Sequence, residues 1–384
     1  MPWDEQTRMN QRVRFIGALE SFQFTMTELC RSHGISRKTG YKWAQRWCEE
    51  GSTGLEDRSR APQSQPLRTD SRCEEMLVSA RRQHPTWGPR KLLFRLRASH
   101  PDLPWPADST GGGILKRHGL VEPRRCRRSS SRPAKPLAEA NSANALWAVD
   151  FKGEFRTGDH QWCYPLTATD RFSRYLLGCR GRKSTSHAGA RPVFERWFAE
   201  YGLPEAILSD GGLPFSSSRS PCRLSRLSVW WLRLGIRPVV IQPGKPQQNG
   251  SHERMHRTLK QATARPPAAS SWRQQIAFDL FRREFNEDRP HEAIEMKMPS
   301  DLYQPSPRPF PSQLQEMSYP GHYEVRKVRS SGEFKWRGEM MFLSEVLSGE
   351  TIGLEETDDG VWSLRFGSLL LGRYDERDRQ LEIL

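Results

Sequence analysis

Apolar positions in the first sixty residues recur at helical spacing, with Val13, Ile16 and Leu19 forming one set and Met26, Leu29 and Cys30 another. Gly34-Ile35-Ser36 then marks a tight turn ahead of RKTGYKWAQRWCEE, a third helix for which Ser36 is the expected N-cap. Helix, short Gly-containing turn, helix is the helix-turn-helix pattern. Arg37, Lys38, Thr39, Tyr41 and Lys42 fall near the start of its second helix, where such helices present side chains to base edges. In a merely structural hairpin Tyr41, Trp43 and Trp47 would pack instead, with the basic residues outside. Residues 55–70 lack periodicity and read as a linker. SRCEEMLVSARRQHP and GPRKLLFRLRAS predict two further helices, and ADSTGGGILKRHGL a third, capped by Asp108 or Ser109 and ended at Gly119. Together they form a second helix-turn-helix-like unit. Gly111-Gly112-Gly113 costs that last helix roughly 2–3 kcal/mol of propensity, which predicts either a close approach to DNA there or, the preferred reading, a short, frayed element.

The texture changes at Leu146. LWAVDFKGEF, WCYPLTATDRF and SRYLLGCRG are short apolar runs separated by turn residues, as in an antiparallel meander. A helix near His187–Tyr201, the strand AILSD, a helix near Leu224–Leu234, the strand PVVIQ and a helix from about Gln248 follow, with one more at Trp272–Glu284. Strands first, then alternating helices and strands, predicts an α/β core. Residues 321–384 alternate β-rich runs with turns, consistent with a small β-barrel.

Charge adds a partner to this picture. The formal net charge of the 384 residues is +15, which points to an anionic partner. Residues 1–135 hold 26 Lys/Arg against 14 Asp/Glu, residues 136–320 hold 25 against 18, and residues 321–384 reverse the balance with 9 against 13. Polyanion binding therefore belongs to the N-terminal and middle regions. Residues 123–145 form a basic Pro/Ser-rich linker that reads either as an arm whose Arg124, Arg125, Arg127 and Arg128 contact a phosphate backbone or as no more than a disordered tether. Seven cysteines without a CxxC spacing argue against a disulfide framework and a zinc finger. No secretory leader or membrane-length apolar run is read in the sequence, so a cytoplasmic, nucleoid-associated location is expected.

Candidate chemistry lies in three carboxylates. Asp150 ends the run Leu146–Val149, Asp210 ends Ala206–Ser209, and Glu253 lies one turn into the helix after PQQNG. Carboxylates at strand ends occupy the ligand-binding edge of an open α/β sheet. Three of them repel unless a cation sits between them, and hard divalent ions take oxygen ligands while keeping positions for phosphate. Asp170 in TATDRFSRY competes with Asp150 on position alone. Around Glu253, positions 253, 256, 257 and 260 share a helical face, making His256, Arg257 and Lys260 candidate phosphate contacts, with Met255, Leu259 and Ala262 as the opposite apolar face.

The strings LWAVDFKG, ILSDGGLPF and IQPGKPQQNGSHERMHRTLK resemble bacterial insertion-sequence transposases of the integrase-like class, relatives of retroviral integrases. The likeness extends to ELCRSHGISRKTGYKW, RLSVWWLRLGIRP, FRREFNEDRPHEA and PSDLYQPSPRP, covering most of residues 10–310. It implies a ribonuclease H-like core, catalytic metal ligands at Asp150, Asp210 and Glu253, two Mg²⁺ (or Mn²⁺) ions, and DNA end cleavage with strand transfer. It further implies double-stranded DNA partners, both element ends and target, and a homo-oligomer on DNA.

The domains expected are 1–54 (helix-turn-helix), 55–70 (linker), 71–122 (second helix-turn-helix-like), 123–142 (basic linker), 143–305 (catalytic core), 306–320 (linker) and 321–384 (small β domain). Gly211 departs from the family's Asn, and the loop SSSRSPCR at 216–223 lacks the Gly-rich character expected there. These departures keep open an alternative, a non-catalytic copy acting as a helix-turn-helix DNA-binding protein. A general ribonuclease H-like nuclease shares the metal chemistry but has little need of two helix-turn-helix units.

Overall fold

The computed structural model describes residues 8–58, 68–122, 140–151, 153–218 and 220–384, and the chain separates into compact units at 1–68 and 69–384. In the first unit α1 (Arg8–Glu20), α2 (Met26–Ser32) and α3 (Arg37–Glu50) enclose Phe15, Ile16, Leu29, Cys30 and Trp43. Thr25 starts α2 through a capping box, its backbone N–H donating to Glu28 Oε2 at 2.8 Å. Ser36 caps α3 by accepting from the Thr39 N–H at 3.2 Å. Gly40 is buried where α2 and α3 cross, and a Cβ there would lie 2.5 Å from Cys30 Sγ. The inner face of α1 is Phe15 and Ile16, while Val13, expected inside, is 50% exposed.

The second unit opens with α4 (Ser71–Gln83), α5 (Pro89–Ser99) and α6 (Asp108–Arg117), packed around Leu77, Trp87, Leu92, Leu93, Ile114 and Leu115. The frayed helix expected at the three glycines is instead continuous through all of them. Close packing explains one glycine, since a Cβ on Gly111 would meet Leu93 Cδ1 at 2.7 Å, whereas Gly113 faces open space. The cap also differs from expectation. Ala107 occupies the N-cap without a side-chain hydrogen bond, and Asp108 accepts from Arg97 Nη1 at 3.1 Å.

The core consists of β1 (Leu146–Phe151), β2 (Phe155–Arg156), β3 (Trp162–Asp170), β4 (Leu176–Arg182), α7 (His187–Tyr201), β5 (Ala206–Ser209), α8 (Arg226–Arg233), β6 (Arg237–Val240), α9 (Gly250–Thr263), α10 (Ser271–Arg283) and α11 (Pro299–Leu302). The sheet runs β4-β3-β1-β5-β6, with β2 continuing the β1 pairing along β3. The β3 ladders are antiparallel, whereas β1–β5 and β5–β6 are parallel. One face buries Trp147, Val149 and Leu166 against Phe194, Trp197 and Phe198 of α7 and Trp230 and Trp231 of α8. Cys163, Leu176 and Cys179 lie on the other, under Met255 and Leu259 of α9 and Phe278 and Phe281 of α10. This central mixed sheet between helical layers accords with the α/β core expected from the sequence. Removing one of the large buried rings, such as Phe194, would cost about 3–5 kcal/mol.

The tail forms β7 (Glu324–Lys327), β8 (Glu333–Trp336), β9 (Glu339–Phe342), β10 (Thr351–Asp358), β11 (Val361–Phe366), β12 (Leu369–Asp375) and β13 (Gln380–Ile383). Five of these make an antiparallel sheet in the order β13-β12-β11-β10-β7, and β8–β9 form a separate ladder. No pairing joins β7 to β13 among the described residues, so the sheet is open where a barrel was expected. Six described cysteines are free thiols. No described helix is long and apolar enough to cross a membrane.

Candidate active site

Asp150 and Asp210 reach one edge of the sheet by register. β1 and β5 pair in parallel as Leu146↔Ala206, Trp147↔Ile207 and Ala148↔Leu208, and each strand reaches its aspartate two residues beyond the last of these pairs. Neighbouring strands lie about 4.8 Å apart, so both acids leave the carboxyl ends of adjacent parallel strands. Strand alternation puts Trp147 and Val149 in the α7/α8 core and turns Ala148 and Asp150 toward α9. Asp210 Oδ1 accepts the Gly212 N–H at 3.2 Å, which folds the following loop back over the strand end.

That loop explains what Gly211 replaces. A Cβ at residue 211 would fall within contact distance of Arg223 Nη2, so the guanidinium occupies the space a side chain would need. The chain turns there through left-handed conformations at Cys222 (φ 50°) and Arg223 (φ 59°). Neither residue is a glycine, and each such residue costs roughly 1 kcal/mol. Ser216 Oγ and the Ser217 N–H both donate to the Arg223 carbonyl at 3.0 Å and hold the turn.

Glu253 is exposed in the first turn of α9. The helix is anchored from below by its histidines. His252 Nε2 and His256 Nε2 lie 2.8 and 2.6 Å from Thr167 Oγ1, and His252 Nδ1 lies 2.8 Å from Thr169 Oγ1. The Thr167 hydroxyl donates to the Asp150 carbonyl at 3.1 Å. Its single proton is thereby used, and both imidazoles donate to its two lone pairs. His256 Nδ1 lies 3.6 Å from Asp150 Oδ2, a separation that is an ion pair only with the ring protonated on both nitrogens. The loop before α9 is closed by Gln248, whose Oε1 accepts the Gln242 N–H at 2.9 Å and whose carbonyl accepts from Arg171 Nη1 at 3.2 Å.

Two sequence expectations change here. His256 is 2% exposed, so it is not available as a phosphate contact; it bonds β3 instead. The polar face expected at 253, 256, 257 and 260 is therefore split, with Glu253 and Arg257 outside and His256 inside, while Ala262 is exposed rather than apolar core. Asp170 is fully buried. Its carboxylate accepts the Asn144 N–H at 2.9 Å, the Ser173 N–H at 2.8 Å and Ser173 Oγ–H at 2.6 Å. Burial pushes its pKa up and those bonds oppose the shift, the signature of a structural carboxyl tying the β3–β4 turn to the start of β1.

The oxygen-only chemistry of Asp150, Asp210 and Glu253 suits a hard divalent ion. Among the described residues, however, no three His, Cys, Asp or Glu side chains already stand close enough to hold one metal ion. Asp150 and Asp210 share an edge; Glu253 would have to turn inward from its exposed rotamer. On α3, Arg37, Lys38, Tyr41 and Lys42 are exposed, while Thr39 is half-buried beside the Ser36 hydroxyl at 2.9 Å. Arg257 is exposed and Lys260 half-buried. Arg124, Arg125, Arg127 and Arg128 lie outside the described residues. Sequence reasoning missed Thr167, Thr169, Gln248 and Arg223; the only signal was the pairing of Thr at i, i+2 on a strand with His at i, i+4 on a helix.

Residues 140–246 and residues 234–299 each match a family model described as "Integrase core domain". Residues 11–63 match a "Helix-turn-helix domain" and residues 39–115 a "Homeodomain-like domain". The Gag-Pol polyprotein of baboon endogenous virus (strain M7) is 30% identical over 153 residues, 39% of this chain and 8% of that protein. The Pol polyprotein of feline endogenous virus ECE1 is 29% identical over 154 residues, 39% of this chain and 14% of that protein. The matched region is thus a small fraction of these relatives. Among solved structures, the HTLV-2 integrase catalytic core domain in complex with magnesium aligns at 14% identity and TM-score 0.34, covering 43% of this chain and all of that one. A simian T-cell lymphotropic virus intasome in complex with a PP2A regulatory subunit aligns at 15% identity and TM-score 0.38, covering 77% and 97%.

Proposed function

Since the chain carries an integrase core domain together with helix-turn-helix domains, we propose that it is a transposase that binds the terminal inverted repeats of an insertion sequence and performs DNA end cleavage and strand transfer. The observation that carries this reading is the parallel pairing of β1 with β5, two adjacent strands that run toward Asp150 and Asp210 at the carboxyl edge of the sheet. Glu253 on α9 supplies the third carboxylate. In strand transfer a 3′-hydroxyl oxygen attacks a target phosphorus and the displaced 3′-oxygen leaves with the proton, so one phosphodiester forms as another breaks. Two Mg²⁺ or Mn²⁺ ions, when bound, would activate the attacking oxygen and stabilise the leaving one. Asp150, Asp210 and Glu253 would hold them, with His256 and Thr167 fixing the Asp150 end of β1.

In this reading residues 1–54 and 71–122 are the DNA-reading units, 143–305 the catalytic core and 321–384 an accessory β domain, separated by linkers at 55–70, 123–142 and 306–320. Arg37, Lys38, Tyr41 and Lys42 contact DNA from α3, and Arg257 and Lys260 from α9. The chain acts as a homo-oligomer on double-stranded DNA in the cytoplasm, because two ends must be held together.

Arg223 favours the second reading, a non-catalytic DNA-binding copy. Its guanidinium stands beside Gly211, one residue from Asp210, where a cation competes with a metal for the carboxylate. One experiment separates the two. The chain is incubated with DNA ends carrying the element's repeats and Mg²⁺ or Mn²⁺; nicking or joining that disappears in Asp210→Asn supports the enzyme, and repeat binding without either reaction supports the non-catalytic copy.

A further inference from the structure

A cavity of about 770 Å³ opens between α5 and α9, lined by Lys91, Arg174, Arg254, Arg257 and Arg289. Glu292 and Asp170 are the carboxylates on its wall, and both are engaged. Asp170 is saturated by Asn144 and Ser173, and Glu292 faces Arg90 at 4.0 Å on the rim. Among the described residues none of the five cations forms an ion pair within 4 Å. Arg289 Nη1 donates to Thr86 Oγ1 at 3.2 Å, and the buried Nε of Arg174 has no hydrogen-bond partner. His291, also on the wall, is held neutral, its pKa pushed down to about 3 by burial and by Lys91.

We propose that this cavity binds adjacent phosphate groups, supplied either by a nucleic-acid strand or by a free polyphosphate. Five cations converge on a space whose wall carries two carboxylates, Asp170 and Glu292, so positive charge is in excess there, and a multiply charged oxyanion matches that excess and the donor geometry. The volume exceeds that of one phosphate and falls within the range of small-molecule pockets. The Lys91 pKa is pushed down to about 8 chiefly by burial and then by Arg289, with Glu292 pulling it up and Arg254 adding a lesser downward push. The cavity adjoins the candidate active site: Arg257, one turn along α9 from Glu253, lines it together with Arg254, Thr258 and Gln261, while Asp150, Asp210 and Glu253 are not among its lining residues. Lys91 belongs to the helical unit and the four arginines to the core, so an occupant would clamp the two together. That unit is already seated on the end of α10 by Glu284, which accepts from Trp87 Nε1 at 3.1 Å and lies 3.1 Å from His84 Nδ1. The nucleic-acid source rests on the DNA-processing reading above; the free-anion source does not.

The test uses the full chain carrying Asp210→Asn, so that binding is read without chemistry. Tripolyphosphate and orthophosphate are titrated at matched ionic strength by calorimetry, and a 5′-labelled single-stranded oligonucleotide by fluorescence anisotropy. Tripolyphosphate is expected to bind at least tenfold tighter than orthophosphate. Lys91→Gln with Arg254→Gln, both on the cavity wall, is expected to weaken it at least tenfold, whereas exposed Arg196→Gln on α7 changes nothing. Arg254→Gln alone, at an exposed position, repeats the test with minimal risk to folding. Displacement of tripolyphosphate by the oligonucleotide assigns the site to a strand, and binding without displacement assigns it to the free anion. Equal affinity in wall and control variants, or no preference for tripolyphosphate, overturns the site. An inactive chain that still binds leaves it standing, and an active chain that does not bind removes it alone.

Discussion

Replacing Thr167 with valine removes one hydroxyl from the seam between β3 and α9 and leaves the rest of the side chain in place. That hydroxyl is fully buried and serves three partners, the Nε2 atoms of His252 and His256 and the carbonyl of Asp150. A buried donor left without an acceptor costs about 1–3 kcal/mol. Two imidazole N–H groups are orphaned, and partial rotation of one ring toward Asp150 recovers some of the loss, so the expected destabilisation is about 3 kcal/mol. Thr169→Val is the internal control, because Thr169 Oγ1 meets one imidazole nitrogen, and its expected cost is about 1 kcal/mol. Urea unfolding followed by tryptophan fluorescence gives the magnitudes. Because the chain has two compact units, hydrogen exchange at the β3 amides is needed to show that the loss is local. A Thr167→Val cost below about 1 kcal/mol, or no larger than that of Thr169→Val, would refute the hydroxyl-centred seam.

Other outcomes follow from single positions. Gly111→Ala should destabilise α6 by about 1–3 kcal/mol because its Cβ meets Leu93, while Gly113→Ala, facing open space, should stabilise by about 0.5–1 kcal/mol; thermal melts of the two variants decide this by sign. Arg223→Gln removes the cation beside Gly211 and should tighten Mn²⁺ binding measured by calorimetry, an unchanged affinity showing that the guanidinium does not compete at Asp210. Tripolyphosphate binding should weaken as pH rises through about 8, the value to which Lys91 is lowered in the unliganded chain. Protonated Lys91 binds the anion and neutral Lys91 does not, so a flat profile from pH 7 to 9.5 in the wild-type chain would exclude its part in the site.

The strand ends were readable because apolar runs closing on an acid are local patterns. Leu146–Asp150 and Ala206–Asp210 needed only their own residues, and the β1–β5 register supplied the adjacency that no local pattern contains. The α9 face was misread for a specific reason. Periodicity sorts polar from apolar, and His256 is polar yet buried, because Thr167 and Thr169 on β3 give its helix a polar floor. The glycines of α6 were read through propensity, whereas packing against Leu93 decides Gly111. The phosphate cavity was not readable at all, since its cations come from positions as distant as Lys91 and Arg289 and converge only in the fold.

The central claim is that Asp150, Asp210 and Glu253 form one metal-dependent centre for phosphoryl transfer on DNA. Its most direct test is joining of labelled repeat-bearing DNA ends to a target duplex, in Mg²⁺ or Mn²⁺, by the full chain and by Asp150→Asn, Asp210→Asn and Glu253→Gln. The expected result is metal-dependent joined product from the parent chain and at least a hundredfold loss in each of the three variants, with DNA binding retained. Joining that persists undiminished in any one of them would contradict the claim.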